Sequence, residues 1–168
     1  VLVFVPAPAE VGGRNLIFAS DGYDKGVLNG ITTKKIGPCE YRIHGTNTGT
    51  VNYAPVFFVD RYTFFNAGDE YTVSVTSPVP LNTYIGIKTK DSTGKSIQAG
   101  TISGSSYILG SDNKRYASFR VNPNSNGSII GFIGVTPALT TIDWTFKVKI
   151  EKGNKPTDWT PEIGRAHV

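Results

Sequence analysis

The sequence predicts an all-β fold, a two-sheet antiparallel jelly-roll β-sandwich of about ten strands. Three observations point there. Val, Ile and Thr number about 48 of the 168 residues, against about 21 for Ala, Leu, Glu, Gln and Met together, a balance that favours strands over helices. The 19 Gly and 10 Pro cut the chain into short apolar runs with the length and spacing of sandwich strands. No stretch keeps a helical period of apolar residues, and no apolar run approaches the roughly 18 residues of a membrane span.

Taken in order, residues 1–13 end in Pro-Ala-Pro-Ala-Glu-Val-Gly-Gly and read as an extended linker from a parent protein, because proline fixes φ and glycine interrupts regular structure. The domain is expected over 14–163, with 164–168 a remainder outside it; the absence of Met suggests a piece of something longer. Ten β-rich runs follow: Leu16–Ala19, Ile31–Ile36, Glu40–Thr46, Val56–Phe65, Tyr71–Thr76, Thr83–Lys90, Ser96–Ile102, Tyr116–Val121, Ser128–Val135 and Trp144–Glu151. Turns are expected at Ala67-Gly68-Asp69, at Asp91 to Lys95 and at Asn122 to Gly127, which supply residues that tolerate left-handed or proline-fixed geometry.

Alternation sorts the faces. Tyr41 and Ile43 share the core phase and send Arg42 and His44 outward; Ile85 and Ile87 do the same to Tyr84 and Lys88. Ala117, Phe119 and Val121 point in, leaving Ser118 and Arg120 out. Trp144, Phe146, Val148 and Ile150 make the cleanest inward series, with Lys147 and Lys149 expected in solvent.

Charge and cysteine content exclude several functions. The net charge is +4, but the 17 Lys and Arg are scattered and form no basic stripe, so no nucleic-acid partner is expected, and no membrane partner either. The surplus suits an anionic surface such as a phosphate-bearing cell-wall polymer. A single cysteine, Cys39, forbids an internal disulfide, and its odd separation from His44 along a strand sends the two to opposite faces, against a thiolate dyad. Catalysis is not expected: no Gly-x-Ser-x-Gly elbow precedes a helix, and Asp60 with Asp143 is the one carboxylate pair that could meet across a cleft.

The stretch Lys149-Ile-Glu-Lys-Gly-Asn-Lys-Pro-Thr-Asp-Trp-Thr-Pro-Glu162 resembles the closing motif of carbohydrate-binding-module-like jelly-roll domains in tail, baseplate and receptor-binding proteins of bacteriophages that infect Gram-positive bacteria. Gly13-Arg14-Asn15-Leu16-Ile17 resembles the first strand of that family, and Asn66-Ala-Gly-Asp-Glu-Tyr-Thr-Val-Ser74 its middle turn and strand. The resemblance implies a host-recognition module of a phage tail or baseplate, located on the virion and acting at the host cell surface. Its partners would be a host cell-surface saccharide and the rest of the parent tail protein. A purely structural or assembly sandwich without sugar binding is the competing reading. Within the closing motif, Trp159 is expected to fold back as an apolar plug.

Sugar recognition uses aromatic rings against the apolar face of a pyranose and polar groups for its hydroxyls. The candidates are the outward Arg42, His44, Tyr84, Lys88 and Arg120, with Tyr53 and Tyr62 from an irregular, Pro-containing region; Tyr23 and Tyr107 are further loop aromatics. No cofactor is required. Asp21 and Asp24, with Asp112 and Asn113, offer hard oxygen ligands in loops, so a structural calcium at Asp21 and Asp24 is the one metal considered; many jelly-roll modules hold such an ion.

Overall fold

The computed structural model describes residues 13, 15–17, 26–49, 52–60, 65–103, 108–109, 115–121, 123–135 and 138–158. Eleven strands occur among them: β1 (Gly26–Leu28), β2 (Ile31–Gly37), β3 (Glu40–Thr46), β4 (Asn52–Asp60), β5 (Glu70–Val75), β6 (Thr83–Asp91), β7 (Ser96–Ser103), β8 (Ile108–Leu109), β9 (Arg115–Arg120), β10 (Ser125–Val135) and β11 (Thr141–Lys152). They form two antiparallel sheets, one of seven strands ordered β1-β2-β3-β11-β5-β9-β8 and one of four ordered β4-β10-β6-β7. The chain passes repeatedly from one sheet to the other, the connectivity of a jelly-roll sandwich. Among the described residues no helix is long and apolar enough to cross a membrane.

The core lies between the sheets and follows the alternation of the strands. Tyr41, Ile43, Tyr71, Val73, Trp144, Phe146, Val148 and Ile150 enter it from the seven-stranded sheet; Ile85, Ile87, Ile129 and Ile133 enter from the four-stranded one. Trp144 stacks on Phe146 with ring centroids 4.0 Å apart, while its indole N–H donates to the Ser77 hydroxyl at 2.9 Å. That hydrogen bond satisfies the polar end of a ring whose body is buried.

Several boundaries differ from those expected. β1 and β8 are additional strands, too short to carry a pattern. β1 turns into β2 through Asn29-Gly30, both at positive φ (47° and 80°), the conformation a two-residue hairpin loop demands. β4 begins at Asn52, four residues before Val56, so Tyr53 sits in a strand and not in a loop. β10 begins at Ser125, which puts Ser125-Asn126-Gly127 inside a strand and confines the described part of that turn to Pro123 and Asn124; the extra residues are absorbed as a register shift between Ser125 and Ile129. Asn15–Ile17 are not in a strand, although the Leu16 N–H donates to the Ile150 carbonyl at 2.8 Å.

Strand β11 organises the seven-stranded sheet by changing partners. Thr141–Lys147 pair with β3, and Val148–Lys152 pair with β5. Beyond the end of β3 the Val148 N–H reaches the Cys39 carbonyl at 3.0 Å. The buried Asn15 carboxamide then takes over, donating to the Val148 carbonyl (3.2 Å) and accepting from the N–H groups of Ile150 (3.2 Å) and Ile17 (3.1 Å). An amide side chain thus stands in for a strand backbone, and the buried polar groups of β11 stay paired.

Lys149 is a correction. Its parity points it outward, yet it is fully buried, because residues 153–158 fold back across β11, β5 and β9. Its ammonium lies 3.3 Å from the buried Glu151 carboxylate and donates to the Thr157 hydroxyl and the Asp158 carbonyl, each at 2.7 Å. Glu151 in turn accepts from the Thr157 N–H and hydroxyl at 3.0 and 2.8 Å. The Thr72 and Ser118 hydroxyls donate to the Gly153 and Asn154 carbonyls. Trp159 lies outside the described residues.

Two turns are held by carboxylates. Asp91 accepts from the Thr93 N–H and hydroxyl and from the Lys95 N–H at 2.9, 2.6 and 3.0 Å, closing the β6–β7 hairpin around Gly94 at φ 83°. Hydrogen bonding, foremost from the Thr93 hydroxyl, holds its carboxyl below the usual range. Asp69, in the turn before β5, is likewise lowered, first by Lys152 at 3.0 Å and then by Asn66.

Replacing Lys149 with Met leaves the Glu151 carboxylate buried without its cation and is expected to cost about 3–5 kcal/mol, measured by urea unfolding. Adding Glu151→Leu should cost less than the two single losses together; simple additivity would show that the pair does not act as a unit. The lowered carboxyls set the acid limb. Native Asp91 stays ionised to lower pH than in the unfolded chain, so its contribution is complete above the unfolded value of about 3.9 and is lost as pH falls through the lower native one. Asp91→Asn should therefore flatten the fall in stability below about pH 4, and a slope equal to the parent's would refute the assignment.

Candidate functional site

The two outer faces of the sandwich carry different chemistry. On the seven-stranded sheet, cross-strand pairing of β3 with β11 sets His44 opposite Asp143 and Arg42 opposite Thr145. Arg42 reaches diagonally to Asp143, donating Nε to Oδ1 at 3.0 Å and its terminal nitrogen to Oδ2 at 2.9 Å. This fork holds the Asp143 carboxyl below its usual range and raises the guanidinium further. Arg120 donates to the Gly68 carbonyl at 2.6 Å and braces the turn before β5. Further along the same face, residues 153–158 cover β11, β5 and β9. Two candidate arginines therefore have partners within the fold.

The four-stranded sheet has a different outer face. Its register builds parallel rows across the four strands: Tyr53, Gly134, Tyr84 and Ser103 in one; Pro55, Phe132, Gly86 and Thr101 in the next; Phe58, Ile130, Lys88 and Gln98 in a third. Tyr84 and Phe132 alternate with the core residues of their own strands and meet edge to face, ring centroids 6.0 Å apart and planes at 88°. The Lys88 ammonium lies over the Phe132 ring, 4.7 Å from its centroid.

Glycine makes room for these rings. A Cβ at Gly134 would collide with the Tyr84 ring and one at Gly86 with the Phe132 ring, so each aromatic reaches over the glycine of the neighbouring strand. The edge strands each take one extra residue beside this cluster, with register shifts opposite Gly131/Phe132 on β4 and Ile87/Lys88 on β7. Such bulges bend a sheet locally.

Of the residues singled out from sequence, the structure brings Tyr84 and Lys88 together through Phe132, and Tyr53 shares a row with Tyr84 across Gly134. Arg42 and His44 lie together on the other sheet, and Arg120 lies at the turn beside Gly68. Tyr23, Tyr62, Tyr107, Asp21, Asp24, Asp112 and Asn113 lie outside the described residues. Among the described residues no cluster of three His, Cys, Asp or Glu side chains could hold a metal ion. Asp60 and Asp143 stand on strands of different sheets, and the Asp143 carboxylate accepts from Arg42.

Phe132 was not foreseen. The run Ser128–Val135 is apolar on both phases, so alternation cannot assign it a face. The available signal was the glycine spacing, with Gly134 and Gly86 vacating space on one side of adjacent strands.

No family model matches the chain, and no curated protein matches it by sequence. Several solved structures are similar in fold. One belongs to the Glycosylation Associate Protein (Gap123) complex from Streptococcus agalactiae, at 14% identity and TM-score 0.50, over 92% of this chain and 49% of that one. A second holds the CBM22-1 and GH10 modules of endo-1,4-beta-D-xylanase 10B from Clostridium thermocellum complexed with xylohexaose, at 9% identity and TM-score 0.47, over 88% and 30%. A third is CBM28, a carbohydrate-binding module specific for non-crystalline cellulose, at 10% identity and TM-score 0.45, over 83% and 93%. The chain thus spans less than half the length of the first two. At these identities the likeness is one of fold, an all-β sandwich of two antiparallel sheets.

Proposed function

We propose that the chain is a non-catalytic carbohydrate-binding module whose saccharide lies on the outer face of the four-stranded sheet. The observation that carries this reading is the pair Tyr84 and Phe132, seated over Gly134 and Gly86 outside the core, with Lys88 against the second ring. The half-buried Tyr84 ring on the sheet's outer face, backed by the buried Phe132 ring and beside the Lys88 cation, suits a pyranose, which offers an apolar C–H face and a rim of hydroxyls. On the opposite sheet the corresponding surface is taken up by the Arg42–Asp143 fork and by residues 153–158. Tyr84 and Lys88 are accordingly the central candidates, with Tyr53 in the adjoining strand position.

The finer reading rests on the sequence resemblance of the three anchors: a module that attaches a phage tail or baseplate protein to host cell-wall saccharide, located at the tail tip of the virion. A structural calcium at Asp21 and Asp24 belongs to the same proposal. If it is present, a chelator should lower the melting temperature and added calcium restore it, and an unchanged melt removes the ion.

A fluorescent fusion should label Gram-positive host cells, and purified cell-wall polysaccharide should compete. Tyr84→Ala should weaken saccharide binding by about 1–2 kcal/mol, with unfolding curves confirming that the variant is folded. Arg42→Ala and His44→Ala probe the other sheet. Loss of binding there, with Tyr84→Ala unaffected, would move the site; a folded chain that neither labels cells nor responds to competitor would belong to the structural, non-binding class.

A further inference from the structure

We infer that one end of the sandwich, free of charged links and tipped by Leu81 and Leu139, is a self-association surface whose occupant is a second copy of this chain. The two ends of the fold differ in charge. At one of them Glu40, Asp60, Glu70, Asp91, Arg120 and Lys152 begin or close their strands. At the other, the pairings of Thr141 with Thr46 and of Val135 with both Asn52 and Thr83 gather the links 47–51, 76–82 and 136–140. The β1–β2 turn joins them through the Thr48 N–H, which donates to the Asn29 carbonyl at 2.9 Å. By sequence these four links contain no Asp, Glu, Lys or Arg.

Large apolar side chains nevertheless stand in solvent there. Leu139 is 79% exposed and Leu81 78%, with Leu28 at the end of β1 at 41%. Leu81 occupies a turn closed by the Thr83 N–H on the Pro80 carbonyl at 3.3 Å, with Asn82 at φ 61°. Leu139 stands at φ 67°, a conformation that Gly or Asn takes at lower cost. Its backbone is pinned: the Leu139 N–H donates to the Asn47 carbonyl at 2.7 Å, and the Asn47 N–H donates to the Thr140 carbonyl at 2.9 Å. Asn47 is itself buried, its carboxamide donating to the Val135 carbonyl at 2.9 Å. A leucine held in a costly backbone state with its side chain in water has neither a conformational nor a packing reason within the chain, so the reason lies in what covers it.

Charge selects the occupant. With a net charge of +4, two copies repel across most of their surfaces, and at this end they meet without opposing like charges. The first charged residue along β11 is Asp143, already held by Arg42. An apolar patch without charge is its own complement about a twofold axis, and depletion of charge marks the core of such interfaces. The same links contain no Lys, Arg, Trp or Tyr, the residues that anchor a protein at a lipid surface. Contact end to end also leaves the outer faces of both four-stranded sheets open.

Sedimentation equilibrium of the full chain from about 1 to about 200 μM should show a monomer–dimer equilibrium that added sodium chloride leaves unchanged or strengthens. Leu81→Asp and Leu139→Asp should each weaken association at least about tenfold. Leu139→Gly separates the contact from the fold, since it removes the side chain while relieving the backbone. Association should weaken, while the unfolding midpoint, read in dilute solution where the parent is monomeric, holds or rises. A chain that stays monomeric throughout the range, or a dimer that survives both aspartate variants, overturns the inference. So does binding to phosphatidylcholine vesicles that the same variants abolish, which would make lipid the occupant.

Discussion

Strand β11 is longer than either strand it pairs with, and the seven-stranded sheet depends on how that excess is resolved. Where β3 ends, the N–H and C=O groups of Val148 and Ile150 face a buried edge, and leaving them unpaired would cost on the order of 1–3 kcal/mol each. The Asn15 carboxamide and the Cys39 and Leu16 backbone meet that demand from segments distant in sequence. On the other side β5 supplies the ladder, and the Gly153 N–H donates to the Glu70 carbonyl to carry the chain onward. The opening, middle and closing motifs noted in the sequence thus converge on one half of one strand. Their common meaning is architectural: they close a sheet.

Alternation was legible wherever only one side of a strand was covered. Tyr41 and Ile43, Ile85 and Ile87, and the Trp144 to Ile150 series all lie in the core as their spacing requires. It failed at Lys149, because a period-two pattern reports which residues share a face but not whether a later segment folds over that face. Long-range cover of this kind leaves only a faint trace in sequence. Here the trace was polar pairing, with Lys149 and Glu151 at matching parity and Thr157 six residues beyond Glu151. Strand starts were lost for a different reason: proline at position 55 and Asn-Gly at 126–127 are strong loop signals that edge pairing and a register shift overrode in β4 and β10.

The site was half legible for the same reason. Tyr84 and Lys88 announced themselves by parity against Ile85 and Ile87, but nothing local joins them to Phe132, because their contact runs through the β6–β10 register. Nor does parity say which sheet a strand joins. Arg42, His44, Tyr84, Lys88 and Arg120 share the property of pointing away from the core, yet they divide between opposite faces of the sandwich. An outward phase is therefore a necessary condition for a ligand contact and a weak one, since a strand's outer face is as readily used for a guanidinium–carboxylate fork or a covering segment.

Glycine at 86 and 134 carries a conformational cost in a strand, since it forfeits side-chain packing and frees the unfolded backbone. The rings of Phe132 and Tyr84 offset that cost by covering the exposed backbone, and the same contact holds them against the sheet. A ring fixed in this way has already lost the rotamer freedom that a mobile loop tyrosine would lose on meeting a ligand. The glycines and the aromatics therefore form a single device. Enlarging either glycine would lift a ring off the sheet, so a change that adds only a methyl group to the strand would be felt first at the aromatic surface above it.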